Sequence, residues 1–457
     1  MTKRIIISAL PLLLILFLTV AHASNTSDEP LVTVQASTIL ANISKGLPVE
    51  LDHVIIEGDL DLNQISLRDA SEVFSTIESG TNSLRVVESP IKIGSSSING
   101  RVIFSDVIFQ SPIDFANTTF CHAVFFSDNI FREHANFINA KFNNDAYFVD
   151  AQFYGGAYFR LASFEKYAGF YKAEFQEGAD FRNVIFTDGA EFHDAGFFEK
   201  AKFWQTGFCR SARFTNNIFY KDAEFWGAQF DEDADFEGAK FEESVFFNDN
   251  PSLKLEGAQF NESLMLNNTK IYNLDLNCAQ FSSKTRISLT GSSFERVNVW
   301  WDDIRDRLVY DGAVFLALVK NFKEMEHFED ADSCYYQYRK LSQNEKGFGV
   351  SKLVDVIAWL SCGYGVRPIF TFGWMIGLII LFGFIFSVGN VFEKSDNCFP
   401  PCMQDGPFYF SLMVFTFQSR GELRPRGRYR YVAVIEGVLG LLLFGIFVVT
   451  LSNVMIR

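Results

Sequence analysis

The sequence predicts a β-solenoid, followed by a helical connector and a two-helix transmembrane domain. Three observations carry this reading. Phenylalanine recurs through residues 102–247 at steps of five and six, a double repeat of 11 residues. Alanine stands two residues before most of these phenylalanines, as at Ala135, Ala146, Ala157, Ala168, Ala179 and Ala190. Two long apolar runs, 368–392 and 431–456, lie near the end of the chain.

A short fixed period overrides ordinary domain reading. Steps of five and six give no constant face on a helix of about 3.6 residues per turn. A stacked coil accommodates them. Each step becomes one side of a four-sided coil, and two repeats complete a turn of 22 residues. Phe and the preceding Ala point inward as ladders, and the residues between them turn corners or face water. Successive coils then lie about 4.8 Å apart, the ordinary strand spacing. The strings AGFYKAEFQEG (168–178), AEFHDAGFFEK (190–200) and ADFEGAKFEES (234–244) align without gaps.

These strings resemble the pentapeptide-repeat family, whose motif is A-(D/N)-(L/F)-x-x. The resemblance implies a right-handed quadrilateral β-helix. The extra residue in every second side departs from that motif and bears on the corners.

Composition narrows the partners. The chain has 457 residues, too many for one ordinary core, and a net charge of −15. Residues 102–247 carry 23 Asp and Glu against 12 Lys and Arg, which opposes direct binding to nucleic acid. The seven cysteines are scattered; only Cys398 and Cys402 lie close, in CFPPC, as a disulfide pair or as free thiols. No secreted disulfide framework is indicated.

Residues 1–23 read as a secretory signal, or as an uncleaved anchor. Lys3 and Arg4 precede an apolar run of 16, and Ala21-His22-Ala23 forms a cleavage site. Sequons at Asn25, Asn42, Asn117, Asn261 and Asn267 suit glycosylation after export. Solenoid corners rich in Asn, Ser and Thr also generate sequons by chance. Residues 24–50 form a polar lead-in, and the solenoid spans 51–299, about eleven coils of 22 residues. Leu51, Ile56, Leu62, Val87, Ile93 and Ile98 replace Phe at the start, as a terminal cap requires. Register breaks at 248–252 and then resumes with less fidelity.

Residues 300–349 change to a helical period. Val314, Leu318, Phe322 and Met325 share one face; Ala331, Tyr335 and Tyr338 begin a second. FEDADSCYYQYRKL resembles the second helix of a tetratricopeptide-like hairpin, and one such hairpin reads as a connector. Residues 350–367 form an amphipathic interfacial helix, with Trp359 suited to the headgroup region. The runs 368–392 and 431–456 each exceed the roughly 20 residues needed to span a bilayer. Residues 407–422 hold a shorter apolar stretch and its sequel, and a basic segment follows.

FYFSLMVFTFQSRGELRP (408–425) and RYRYVAVIEGVLGLLLFGIFVVTL (428–451) resemble the two-helix potassium-channel family. Phe410 and Ser411 match the start of its pore helix, and Phe415 and Thr416 its end. Pro425 and Gly427 match the loop after the filter; Glu436, Gly440 and Phe447 match the inner helix. The resemblance implies a homotetramer that passes K+ or another ion. Thr416, Phe417, Gln418, Ser419, Arg420, Gly421 and Glu422 occupy the filter positions. Only one of two filter glycines is present, Arg420 stands near the filter aromatic, and Glu422 replaces the usual Asp. Four Arg420 side chains in a ring would repel cations. Cys362-Gly363-Tyr364-Gly365 spells a filter tripeptide but precedes the first span, and reads as a glycine turn.

Glu436 is the sole charge within a spanning run and is a functional candidate. The plainer reading places it near the interface, hydrogen-bonded to the pore-like loop. No metal site or cofactor is expected, because the six His never meet Cys or carboxylates at ligand spacing. No nucleophile elbow, P-loop or dinucleotide fingerprint occurs, so an enzyme is not expected. Lys394, Arg420, Arg424, Arg426, Arg428 and Arg430 favour a cytosolic 393–430 loop and an extracytoplasmic solenoid in a multi-pass cell-membrane protein. That orientation is the reverse of the channel family's. Expected partners are membrane lipid, an ion, further copies of the chain and an unknown protein on the solenoid. The competing readings are a channel-like protein, a non-conducting anchor that displays the solenoid for binding or spacing, and an acidic DNA mimic. Export would remove the last one's target.

Overall fold

The computed structural model of the chain describes residues 31–73, 84–389, 406–418, 425 and 427–455. A β-solenoid of about 12 turns runs from residue 32 to 298. Short strands lie parallel to those of the next coil, 22 residues on. Phe120 pairs with Phe142, Ala146 with Ala168, Phe153 with Phe175, and Ala157 with Ala179. The strands form sheets of 11, 19 and 10. The largest covers two of the four sides, because Lys240–Phe246 continues from one side onto the next.

Two kinds of corner explain the uneven steps. Each five-residue step carries one residue in the left-handed region: Asp106, Asn117, Asp128, Asn139, Asp150, and so on every 11 residues to Asn216. Gly227 and Gly238 continue the series. Each six-residue step turns with one more residue and needs no left-handed conformation. Asn, Asp and Gly tolerate positive φ best, which is why they follow the Phe at this position. Leu161, at φ 64°, is the exception with the least suited side chain.

The core is four columns of phenylalanine. Within a column the rings stack, as Phe142 on Phe164 at 4.5 Å and Phe137 on Phe159 at 5.0 Å. Between two facing columns they meet edge to face, as Phe148 and Phe159 at 5.3 Å and 86°. Such pairs add about 0.5–1.5 kcal/mol beyond area burial. The small alanines leave room for this crossing. Where a polar residue takes such an inner position it bonds to backbone: Thr206 Oγ1 donates to Phe181 O at 2.7 Å.

The register break is a loop that leaves and rejoins one coil. Ala258 N donates to Phe247 O at 2.8 Å. Phe230 therefore pairs with Phe260, 30 residues on.

Both ends are closed by helices. Val32–Gln35 pairs with Val54–Glu57, so the first coil begins earlier than residue 51. Helix α1 (Ala36–Ser44) then lays Ala36, Ile39, Leu40 and Ile43 over the open core. The stretch expected as a polar lead-in is thus strand and cap. Helix α2 (Ala70–Val73) packs Ala70 against Val86 and Ile108 on the outside of the coil.

At the other end, α3 (Trp301–Ile304) and α4 (Gly312–Glu324) cover the last coil. Trp301 meets Phe315 and Phe322 edge on at 5.7 and 6.2 Å. Asp311 caps α4 by accepting from Ala313 N at 2.9 Å. Asn321 satisfies the exposed edge of the final strand. Its Oδ1 accepts from Val297 N at 2.9 Å, and its Nδ2 donates to Val297 O at 2.8 Å. An unpaired edge would otherwise recruit another chain. Helix α5 (Phe328–Glu345) adds Ala331 and Cys334 to the same core. The helices read as a connector are therefore the solenoid's cap, because Val314, Leu318 and Phe322 bury against its last coil.

Candidate pore-type hairpin

Beyond the cap, α6 (Val350–Cys362) turns Val350, Leu353, Val354, Ile357 and Leu360 to the outside. These side chains form one exposed apolar stripe along the helix. The Gly363–Gly365 turn follows, with all three residues at positive φ. Tyr364 folds back, its ring 4.9 Å from the Arg339 guanidinium. The filter-like tripeptide is thus a turn that leads into the first long apolar helix.

Helix α7 (Pro368–Val388) and α9 (Tyr429–Met455) have 21 and 27 residues. At 1.5 Å per residue they reach about 32 and 40 Å, enough to cross the roughly 30 Å hydrocarbon layer. Ile369, Phe372, Ile376 and Phe384 on α7, and Ile435, Leu442, Phe444 and Val449 on α9, are exposed. Outward apolar residues along both helices suit lipid rather than water.

Helix α8 (Pro407–Phe415) has nine residues, about 14 Å, less than half the layer. It sits between α7 and α9. Two glycines admit it. A Cβ on Gly383 would lie 2.3 Å from the Phe408 ring, and one on Gly440 would lie 2.7 Å from Phe415 O. Phe386 and Phe410 meet edge to face at 5.1 Å, and Phe384 and Phe408 at 5.2 Å. Ser411 binds both long helices: its Oγ donates to Ile379 O of α7 at 2.9 Å and is hydrogen-bonded to Glu436 Oε1 of α9.

Glu436 is fully buried, about two turns into α9. Among the described residues its hydrogen-bond partner is Ser411 of α8. Thr416 Oγ1 donates to Leu412 O at 2.8 Å, and Gln418 N to Met413 O at 3.0 Å, so the chain after α8 winds on for one turn. Phe417 has φ 58° and is exposed. Ser419, Arg420, Gly421 and Glu422 lie outside the described residues, as do residues 1–23, Asn25, Cys398 and Cys402. Asn117 and Asn261 occupy exposed solenoid positions, where Asn139 Nδ2 donates to Asn117 and Asn261 Nδ2 donates to Asp231. Asn42 lies within α1, and Asn267 accepts from Thr290 N at 3.2 Å.

The outer face of the solenoid is charged in rows. Asp106, Asp128, Asp150, Lys172 and Asp194 occupy equivalent corners of successive coils. Burial raises the Asp128 carboxyl above its usual range, and Asp106 and Asp150 add to the effect. The repeat spacing, the four Phe columns and these alternating corners bear on one family. Residues 126–174 match the pentapeptide-repeat family, in nine copies. No curated protein and no solved structure matches the chain.

The pentapeptide-repeat solenoid is tied to the apolar hairpin by side chains that sequence reasoning missed. Arg339 of α5 donates to Asp355 of α6 at 2.8 Å, and Lys346 bonds the other carboxylate oxygen. Lys346, helped by Arg339, holds the Asp355 carboxyl below its usual range. Trp359 Nε1 donates to Tyr336 OH at 2.8 Å. Arg367, one residue before α7, reaches back to Ser333 Oγ at 3.1 Å. Trp374 Nε1 and Thr371 Oγ1 of α7 donate to Leu360 O and Ser361 O of α6. The only sequence signal was Asp355 and Arg367 beside otherwise apolar segments.

Proposed function

We propose that the chain is a membrane protein in which a pore-type hairpin carries a pentapeptide-repeat solenoid. The observation that supports this best is the seating of α8. A short helix enters the apolar layer between two spanning helices, held by Ser411 and by glycines that face its aromatic side chains. Non-helical backbone at that depth is tolerated only where protein or a water-filled cavity surrounds it. The segment after α8 then lines an axis once several chains assemble, as in the two-helix channel family. Arg420 would place a ring of positive charge there, which disfavours cations, so an anion is tested beside K+. The arginines of 420–430 favour the cytosolic side for this loop and an extracytoplasmic solenoid.

Ion flux from liposomes that hold the purified full chain tests the reading. We expect release of K+ or chloride above that of protein-free liposomes, lost in Gly421→Pro. No flux of either ion from well-folded protein would leave the second reading. There the hairpin is a non-conducting anchor for the solenoid, which the Arg420-Gly421-Glu422 sequence favours.

A further inference from the structure

We infer that Glu436 is a proton-binding site, and that as the neutral acid it hydrogen-bonds α8 into its seat. Ser411 Oγ lies 2.9 Å from Ile379 O and is also in hydrogen-bond contact with Glu436 Oε1. Each of these oxygen pairs needs one hydrogen between them. A serine hydroxyl supplies one hydrogen and a carbonyl supplies none. The second comes from the Glu436 carboxyl. Ser411 therefore donates to Ile379 O and accepts from Glu436.

The surroundings agree with a neutral group. Glu436 Oε2 is buried with no hydrogen-bond partner, a state that an ionised carboxylate tolerates poorly. The helices packed on it, α7 and α8, contain no charged residue. On α9 the preceding charge, Arg430, lies six residues back and donates to Pro425 O at 3.2 Å. No cation therefore faces the carboxyl from these helices. Glu436 is fully buried within a single chain, so the site needs no second copy. Loss of the proton would set a bare charge among three apolar helices and leave one hydrogen for two oxygen pairs; Ser411 would turn to the carboxylate and give up its bond to Ile379 O of α7. The inference concerns the seat of α8 and stands whether or not the hairpin conducts.

Infrared difference spectroscopy of the full chain in lipid bilayers tests it. The wild type minus E436Q spectrum at neutral pH should show a protonated-carboxyl C=O stretch. Carboxylate stretches in its place would overturn the inference. S411A supplies a second difference spectrum that keeps Glu436, in case E436Q fails to assemble. Loss of the serine acceptor shifts the acid's C=O stretch to higher frequency. If Glu436 is ionised, that region stays unchanged, which again overturns the inference.

Discussion

Phe159→Ala will lower the unfolding free energy of the solenoid by about 3–5 kcal/mol. Phe159 is fully buried. It stacks between Phe137 and Phe181, each at 5.0 Å, and meets Phe148 and Phe170 edge on at 5.3 and 5.4 Å. The backbone ladder fixes all four neighbours; Phe148 N, for instance, donates to Gly169 O at 2.7 Å. The coil cannot collapse into the space that the ring vacates, so the loss lies at the upper end of truncation costs. Because each coil touches only its neighbours, the defect also divides the stack, and unfolding should become less cooperative. Tyr158→Ala is the control, since Tyr158 immediately precedes Phe159 and is exposed. Denaturant unfolding followed by circular dichroism reads both. A Phe159→Ala loss below about 1 kcal/mol would mean that the coils relax far more readily than stacked rings allow.

Gly440→Val will unseat α8 and destabilise the hairpin by about 1–3 kcal/mol, the usual cost of overpacking. The obstacle is backbone: the new Cβ would lie 2.7 Å from Phe415 O and 3.2 Å from its ring. Neither can yield without moving the end of α8, and with it Thr416 and the segment that follows. Gly445→Val on the same helix is the matched control, because nothing lies within 4 Å of its Cβ position. Thermal unfolding in detergent, or proteolysis between α8 and α9, should separate the two variants. Equal behaviour would mean that α8 does not pack on α9 at Gly440.

The sequence made the period, the inward Phe and Ala, and the register break legible because they are properties of spacing. The loop at 248–257 and the buried Ile56 and Leu62 follow directly from that pattern. The left-handed corners were visible only in part: Asn and Asp recur after Phe, but Lys172 and Gln205 adopt the same φ under the constraint of neighbouring coils. The caps were misread because isolated segments do not reveal what they cover. Residues 36–44 look polar enough for a lead-in, and 312–345 look like a free hairpin, until each is set against an open end of the core. At the hairpin, Glu436 stood out as a lone charge in an apolar run. Ser411 stood out through its match to the pore-helix pattern, but nothing in the spacing paired it with Glu436, 25 residues on. Gly440 matched the inner-helix pattern, but the packing role of Gly383 and Gly440 is visible only once Phe408 and Phe415 are placed against them.

On the proposed reading, α8 enters the membrane and returns to the side it came from. Single cysteines at Ser351, Gly406 and Gly427 test it, in a full chain with native cysteines replaced and a membrane-impermeant maleimide as the probe. Ser351 precedes α7, and Gly406 and Gly427 flank α8. Positions 406 and 427 should be labelled from one side and position 351 from the other, with 351 outside in intact cells. Labelling of 406 and 427 from opposite sides would contradict it, because α8 would then cross the membrane.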